Sequence, residues 1–234
     1  MQVLGVIPAR GGSKGIVGKN LAAVAGRPLL AYTADAARAA TRLTRTIVST
    51  DDAAIAEAAR GLGLEVPFVR PASLAAHDTL MLPVLEHALT MIAATGTAVD
   101  AIVLLQPTSP LRRAEHIDAA IELLERSGAD SVVSVVEVPH QFNPVSVLRL
   151  DGDRLRSFLG GPPIARRQDK PRVFARNGPA VLAVRAGVIA DGSLYGNDCR
   201  ALVMSAEESL DIDTQWDADV AEFALGRRAR GANV

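Results

Sequence analysis

Two short segments at opposite ends of the chain carry side chains of the types that bind phosphates and metal ions. The first, residues 10–20, follows an apolar run from Val3 to Ile7; we call it the first loop. It combines four glycines with three cations and two small polar residues: Arg10, Gly11, Gly12, Ser13, Lys14, Gly15, Gly18, Lys19 and Asn20. Glycine allows backbone angles at which successive N–H groups turn towards one anion, and the cations add charge. The first loop is therefore predicted to bind a polyphosphate, because a basic surface turn would need only one or two glycines.

Two familiar phosphate-binding motifs do not fit this loop. The P-loop spacing ahead of Gly18-Lys19 requires glycine at position 13 and serine or threonine at position 20. The chain has Ser13 and Asn20 there. The dinucleotide pattern G-x-G-x-x-G fails because Arg10 stands where its first glycine should be.

The second segment holds Asp211 and Asp213, which we call the acid pair. In an extended segment, side chains two residues apart point the same way, so both carboxylates would face one spot. Two neighbouring carboxylates repel each other unless a cation lies between them. Mg²⁺ (or Mn²⁺), bound through one or two carboxylates and the phosphates of a substrate, fits this arrangement. The alternative is that these acids only cap the last helix.

A third polar segment, the 106–112 loop, follows the most apolar predicted strand. It combines an amide, two hydroxyl groups and a guanidinium with two prolines, and its polar members are Gln106, Thr108, Ser109 and Arg112. Prolines stiffen a loop, and these polar groups could bind a hydroxylated substrate. A purely structural turn would explain the prolines but not the concentration of donors.

The predicted elements alternate strand and helix four times over the first 136 residues. Strands are predicted at 3–7, 46–49, 65–69, 101–105, 131–136, 180–184 and 202–204, and helices at 28–40, 53–62, 80–94, 115–125 and 217–227. This pattern predicts a three-layer α/β fold, with a mostly parallel, doubly wound sheet. Ligands of such sheets bind beyond the carboxyl ends of the strands, where the polar loops should meet in one site.

The chain is expected to be a single domain, 1–234, with an insertion at 139–175 that is rich in proline, glycine and arginine. A two-stranded arm is predicted around Val145–Arg149 and Leu155–Phe158. Phe142, Phe158 and Phe174 favour packing against this chain or a second subunit over a disordered loop.

Composition limits the class of protein. The chain is 49% hydrophobic and 22% charged, with a net charge of −1, so it is not a disordered chain, and nothing global indicates nucleic acid or an anionic membrane as a partner. The single cysteine excludes an internal disulfide. No apolar run approaches the length of a membrane span, and no basic segment precedes the first apolar run. We therefore expect a cytoplasmic enzyme.

Several motifs together resemble those of the acylneuraminate cytidylyltransferases, also called CMP-sialic acid synthetases. The motifs are residues 7–15 and 18–20, Ser49-Thr50-Asp51, Arg70-Pro71, residues 105–112, residues 130–134 and Asp211-Ile212-Asp213. The resemblance extends over about residues 3–225, and the motifs occur in the same order as in the family.

The resemblance implies a nucleotidyltransferase of the Rossmann-like nucleotide-diphospho-sugar transferase fold. Its substrates would be CTP and a nonulosonic acid, and Mg²⁺ would lie on the acid pair. By position, the nucleotide would be held by Arg10, Gly11, Gly12, Ser13, Lys14, Lys19 and Asn20, with Arg70 and Asp78 near the base. Arg10, Lys19, Asp211 and Asp213 would form the catalytic set.

The same resemblance implies that Gln106, Thr108, Ser109, Arg112 and Asn177 face the sugar. It also implies a homodimer, in which the inserted arm reaches the site of the neighbouring subunit. Arg166 and Arg167 would then be candidates for the sugar carboxylate, which a guanidinium matches geometrically.

Three questions stay open from the sequence. The acceptor could be a sialic, legionaminic, pseudaminic or other 2-keto-3-deoxy acid. The nucleotide could be another NTP. The protein could also be a sugar-nucleotide binding module without catalysis.

Overall fold

A mixed seven-stranded sheet forms the centre of the protein in a computed structural model, which describes residues 1–12, 15–161, 164 and 166–231. The strands are β1 (Val3–Pro8), β2 (Ala23–Val24), β3 (Arg27–Pro28), β4 (Arg45–Ser49), β5 (Ala101–Leu104), β6 (Ser131–Glu137), β7 (Leu148–Asp151), β8 (Arg154–Ser157), β9 (Phe174–Arg176), β10 (Leu182–Arg185) and β11 (Cys199–Met204). The order is β11-β6-β10-β5-β1-β4, and β9 also pairs with β6. Strands β1, β4, β5, β6 and β11 run in one direction, whereas β9 and β10 run the opposite way. The predicted mostly parallel sheet is confirmed.

Helices cover both faces of this sheet. They are α1 (Leu29–Ala39), α2 (Ala53–Gly61), α3 (Met81–Ala93), α4 (Ala114–Ser127), α5 (Ala186–Ala190) and α6 (Gln215–Gly231). Alternate strand residues face opposite sides. Val3 and Ile7 pack in the cluster that contains α1, α2 and α4, whereas Leu4 and Val6 pack against α3 and α5. The predicted three layers are therefore present. Within the part of the chain that the structure describes, no helix is long and apolar enough to cross a membrane.

Two helices that start at the carboxyl edge of the sheet are capped by polar side chains. Oδ1 of Asp52 accepts hydrogen bonds from the N–H groups of Ala54 (2.8 Å) and Ile55 (3.0 Å) at the start of α2. Before α6, the Thr214 hydroxyl accepts from the N–H of Asp217 (3.3 Å), and Asp217 Oδ2 accepts from the N–H of Thr214 (2.8 Å). Such reciprocal bonds satisfy the free N–H groups of a first helical turn.

The strand predicted at Glu65–Val69 is wrong. The backbone there makes a single bridge between Ile47 and Glu65, in which the N–H of Val48 donates to the Glu65 carbonyl (2.8 Å). Pro67 follows two residues later and has no N–H to extend the ladder.

The insertion leaves the sheet as a hairpin of β7 and β8, in which Leu150 lies opposite Leu155. Its first strand begins at Leu148, three residues later than predicted, because residues 144–146 form a 3-10 turn. The Asn143 side chain caps this turn by accepting from the N–H of Val145 (3.2 Å). The hairpin is therefore ordered within one chain, and its part in a dimer stays a prediction.

Candidate active site

The strand directions bring five polar segments to one edge of the sheet. Because β1, β4 and β5 are parallel, the segments that follow them begin at the same edge. The segment before β10 reaches this edge because β10 runs in the opposite direction, and the segment after β11 does so because β11 is parallel to β6. The first loop and the acid pair, almost 200 residues apart, thereby come together.

A cavity of about 390 Å³ lies at this edge. The first loop, the segment before α3, the 106–112 loop and the acid pair all contribute to its wall. The polar lining includes Arg10, Lys19, Asn20, Arg70, His77, Thr79, Gln106, Thr108, Asp211 and Asp213. Cations and carboxylates thus face the same space.

Lys19 joins the first loop directly to the acid pair. Its Nζ lies 3.0 Å from Oδ1 of Asp213 and donates to the carbonyl of Ile212 at 2.7 Å. A Cβ atom on Gly15 would collide with the Asp213 carbonyl oxygen, so glycine is needed for the two backbones to approach so closely.

The two acids lie in different surroundings. Asp213 is exposed, whereas Asp211 is partly buried, and its Oδ1 accepts no hydrogen bond within the described chain. Burial raises the pKa of Asp211, as does the Asp213 charge, whereas the Thr108 hydroxyl and Lys19 lower it. A buried carboxylate oxygen without a donor is suited to a cation. Among the described residues, this site included, no three or more His, Cys, Asp or Glu side chains form a group that could hold a metal ion, so the acid pair would offer only two protein carboxylates.

The described part of the first loop is fixed from both ends. The Asn20 side chain donates to the carbonyl of Arg10 (2.9 Å), and the N–H of Gly11 donates to Oδ1 of Asp51 (3.2 Å). Asp52 packs against Gly11 so closely that a Cβ there would lie 2.5 Å from Asp52 Oδ2. Gly12 is next to open space. Ser13 and Lys14 lie outside the described residues.

Asp51 contacts the first loop but is absent from the predicted site residues, where it appears only as part of the Ser49-Thr50-Asp51 motif. The signal that could have found it is its place directly after β4, at the same edge as the first loop.

Arg70 is buried in the cavity wall with only 4% of its surface exposed. Its Nη2 donates to the Ser49 carbonyl (2.7 Å), and burial lowers its pKa; the Asp51 charge opposes this and Arg10 adds to it. Asp78, by contrast, points to solvent beside His77, with 77% of its side chain exposed. The structure therefore places Arg70 at the cavity and Asp78 outside its wall.

The predicted sugar-binding residues divide into two groups. Gln106 and Thr108 line the cavity. Ser109, Arg112 and Asn177 are buried beneath it, at 1%, 3% and 5% exposure. The Asn177 side chain bonds to the hydroxyls of Ser134 (2.6 Å) and Ser209 (2.9 Å), so its polar atoms are engaged within the protein.

Arg166 and Arg167 lie away from this cavity in the single chain. Arg167 lines a second cavity of about 480 Å³ at the base of the insertion, together with Glu137 and Lys170. Arg166 instead pairs with Asp169 at 2.7 Å.

Comparisons with known proteins identify the family to which the chain belongs. A family model described as cytidylyltransferase matches residues 4–155. The chain is 33% identical over 223 residues to the CMP-N,N'-diacetyllegionaminic acid synthase of Legionella pneumophila, covering 95% of each protein. It is 30% identical over 221 residues to an N-acylneuraminate cytidylyltransferase of Escherichia coli, covering 94% of this chain and 51% of that protein.

Solved structures show the same fold. The structure of CMP:2-keto-3-deoxy-manno-octonic acid synthetase complexed with CTP superposes with a TM-score of 0.73 at 16% identity, covering 97% of this chain and 100% of that one. A 4-diphosphocytidyl-2C-methyl-D-erythritol synthase from Anaerococcus prevotii gives 0.65 at 13% identity, covering 96% of each chain. The family model and the two relatives establish that the chain belongs to the cytidylyltransferase family and is a nucleotidyltransferase of the N-acylneuraminate cytidylyltransferase type.

Proposed function

We propose that the protein transfers CMP from CTP to the anomeric hydroxyl of an N-acylneuraminate or a related 2-keto-3-deoxy acid, with release of pyrophosphate. The observation that carries this proposal is the 3.0 Å contact of Lys19 with Asp213 in one cavity. It joins a predicted triphosphate loop to a predicted metal site. The names of relatives that act on legionaminic and neuraminic acids support the class of acceptor.

The reaction is an in-line displacement at the α-phosphorus of CTP. The anomeric oxygen forms the new P–O bond, the bond from the α-phosphorus to the bridging oxygen of the β-phosphate breaks, and pyrophosphate leaves with that electron pair. The proton of the sugar hydroxyl passes to water. Most catalysis of such reactions comes from positioning and from neutralising charge.

The first loop would hold the triphosphate. Arg10 and Lys19 supply positive charge at the cavity wall. N–H groups of the glycine-rich stretch would supply further donors. Arg70 would contact the base. Gln106 and Thr108, which also line the cavity, would contact the sugar.

Asp211 and Asp213 would hold Mg²⁺ or Mn²⁺, and the unpartnered Oδ1 of Asp211 fits this role. Since two carboxylates alone do not fill a coordination sphere, phosphates and water would supply the other ligands. A bound divalent ion neutralises negative charge on transferring phosphates. Lys19, which pairs with Asp213 here, would be free to turn to a phosphate once that ion is bound.

A homodimer is part of the proposal. The hairpin of β7 and β8 exposes Leu150 (73%), Leu155 (64%) and the following Phe158 (63%), which is typical of a surface that another subunit covers. Arg167, which lines the second cavity, would then be the better placed of the two arginines for a sugar carboxylate. The cytoplasmic location expected from the sequence stays a prediction.

Two alternatives differ from this proposal in the chemistry performed. A related transferase would use another NTP or another sugar acid. A binding module would perform no chemistry, but it would not need two acids at the cavity with Lys19 in contact with one of them, Asp213.

The test is a panel of NTPs and sugar acids with the purified protein, read out as pyrophosphate release and as product mass. CTP with a nonulosonic acid should give a CMP-sugar and one pyrophosphate. Equal rates with GTP or UTP, or the absence of any CMP-sugar, would overturn the proposal.

A further inference from the structure

The guanidinium of Arg112 is buried beneath the cavity without an acidic partner among the described residues. Its Nη1 donates to the carbonyls of Gln106 (3.0 Å) and Ala180 (2.8 Å), and its Nη2 donates to the Thr33 hydroxyl (2.5 Å). Burial lowers the pKa of Arg112 to about 9, which leaves it charged at neutral pH. A buried charge held only by neutral acceptors is unusual, because its desolvation is not offset by a counter-ion.

These hydrogen bonds connect two loops at the site with each other and with helix α1. Gln106 begins the 106–112 loop, and Ala180 ends the turn that leads into β10. The same two loops are linked a second time, because Gln106 Nε2 donates to the Gly178 carbonyl (3.1 Å). The bond to Thr33 anchors this pair of loops to α1, whose residue Thr33 is fully buried.

Both loops also touch the acid pair. The carbonyl of Thr108 accepts from the N–H of Ile212 (2.8 Å), the residue between the two acids. On the other side, Gly178 packs against Asp211, and a Cβ there would lie 3.4 Å from its Oδ1. The backbone of Gly178 also has a φ of +118°, a conformation that favours glycine. Both loops that accept hydrogen bonds from Arg112 therefore contact the acid pair, one at Ile212 and the other at Asp211.

We propose that Arg112 is a positioning residue that aligns the Gln106 side chain with the acid pair, without itself contacting the sugar or the nucleotide. This inference rests on the proposed function, since it names what Arg112 does for that reaction. A planar guanidinium is suited to this task because its forked N–H groups can reach acceptors on three segments at once. Lysine offers the same charge on a flexible stem and cannot reproduce that fork.

The test combines Arg112→Met and Arg112→Lys with Gln106→Ala in double-mutant cycles. Thr33→Val serves as the matched control, because it removes only the bond to α1. For each variant, kcat and both KM values are measured, and the Kd for CTP is measured by calorimetry without sugar.

We expect Arg112→Met to lower kcat by about tenfold or more, while the Kd for CTP changes by less than about threefold. Arg112→Lys should restore only part of kcat, and Thr33→Val should keep most of it. The variant with both Arg112→Met and Gln106→Ala should lose clearly less than the product of the two single losses, because the two residues act through one arrangement.

Multiplicative losses in that cycle would overturn the inference, as would an equal loss of CTP affinity and kcat, which indicates a general structural role. A raised KM for the sugar with unchanged kcat would also overturn it, because that result indicates direct contact with substrate. If Arg112→Met does not fold, the cycle with Arg112→Lys decides. If the wild-type protein forms no CMP-sugar, it is the proposed function that fails, and no Arg112 variant can produce that result.

Discussion

At the scale of residues, the proposed chemistry depends on two acids that lie in different surroundings. Asp213 has 75% of its side chain exposed and pairs with Lys19, whereas Asp211 is partly buried beside Thr108. An ion pair with one exposed partner contributes only about 0–1 kcal/mol to stability. A contribution of this size gives the Lys19–Asp213 pair little part in folding, which is consistent with its proposed part in ligand binding.

Lys19→Met should leave the fold intact and weaken CTP binding. A charge-assisted contact contributes about 1.5–3 kcal/mol, so the Kd for CTP should rise by about 10- to 150-fold in calorimetry, while the melting temperature changes little. Arg38→Met is the control, because Arg38 is an exposed cation in the last turn of α1. An unchanged Kd in the Lys19 variant would contradict the assignment of the first loop.

Asp130 should make the stability of the protein depend on pH. Its carboxylate accepts from the N–H groups of Asn197 (2.7 Å) and Asp198 (2.9 Å), and these hydrogen bonds hold its pKa below the usual value. A lowered folded-state pKa contributes stability above the unfolded pKa of about 4, and this contribution is lost as the pH falls through the folded value. Asp130→Asn should therefore lower the melting temperature at pH 7, and the difference from wild type should shrink below about pH 4. A difference that is constant from pH 7 to pH 3 would argue against this role.

Residue type and spacing were enough to select Arg10, Lys19, Asp211 and Asp213, which the structure places around one cavity. They were not enough to show that Gln106 lines the cavity whereas Arg112 is buried beneath it. Pro107 and Pro110 make that loop irregular, so no helical or strand period tells which side chains face the cavity and which face the interior.

At the scale of elements, the site residues could be predicted mainly because they lie in loops that follow strands. Loops after β1, β4 and β5 could be placed from the sequence because apolar runs mark buried strands and polar residues follow them. The false strand at 65–69 has the same apolar character. What distinguishes it is Pro67, which breaks the ladder of hydrogen bonds.

The turn between β2 and β3 offers a test at this scale. Ala25 has a φ of +48° and Gly26 a φ of +78°, a pair of angles found in two-residue hairpin turns. Asparagine tolerates this conformation better than alanine, so Ala25→Asn should stabilise the protein by about 0.5–1 kcal/mol in urea unfolding. Ala23→Asn, in the extended strand β2, is the matched control and should give no gain. Equal changes in the two variants would contradict the explanation.

At the scale of the whole molecule, the direction of β10 was not predictable. Strands alternate with helices only up to Pro139, and the residues of a strand do not encode whether it runs parallel or antiparallel to its neighbours. β10 lies antiparallel between β5 and β6, and this reversal brings the Asn177–Ala180 turn to the site.

The exposed hairpin of the insertion leads to a prediction about assembly. Leu150 and Leu155 lie opposite each other on β7 and β8 and are 73% and 64% exposed. We expect a dimer at micromolar concentration by light scattering, and the double variant Leu150→Glu/Leu155→Glu should be monomeric. Phe223→Glu on α6, an equally exposed apolar position at 64%, should remain dimeric. A monomeric wild-type protein would refute the role given to the insertion.

The central claim is that the first loop and the acid pair together bind one metal–triphosphate complex. Calorimetric titration of CTP with and without Mg²⁺, in the wild type and in Asp211→Asn/Asp213→Asn, tests it most directly. Mg²⁺ should tighten CTP binding to the wild type and have no such effect on the variant, which should keep its metal-free affinity. An equal effect of Mg²⁺ on both proteins would show that the acid pair does not hold the metal.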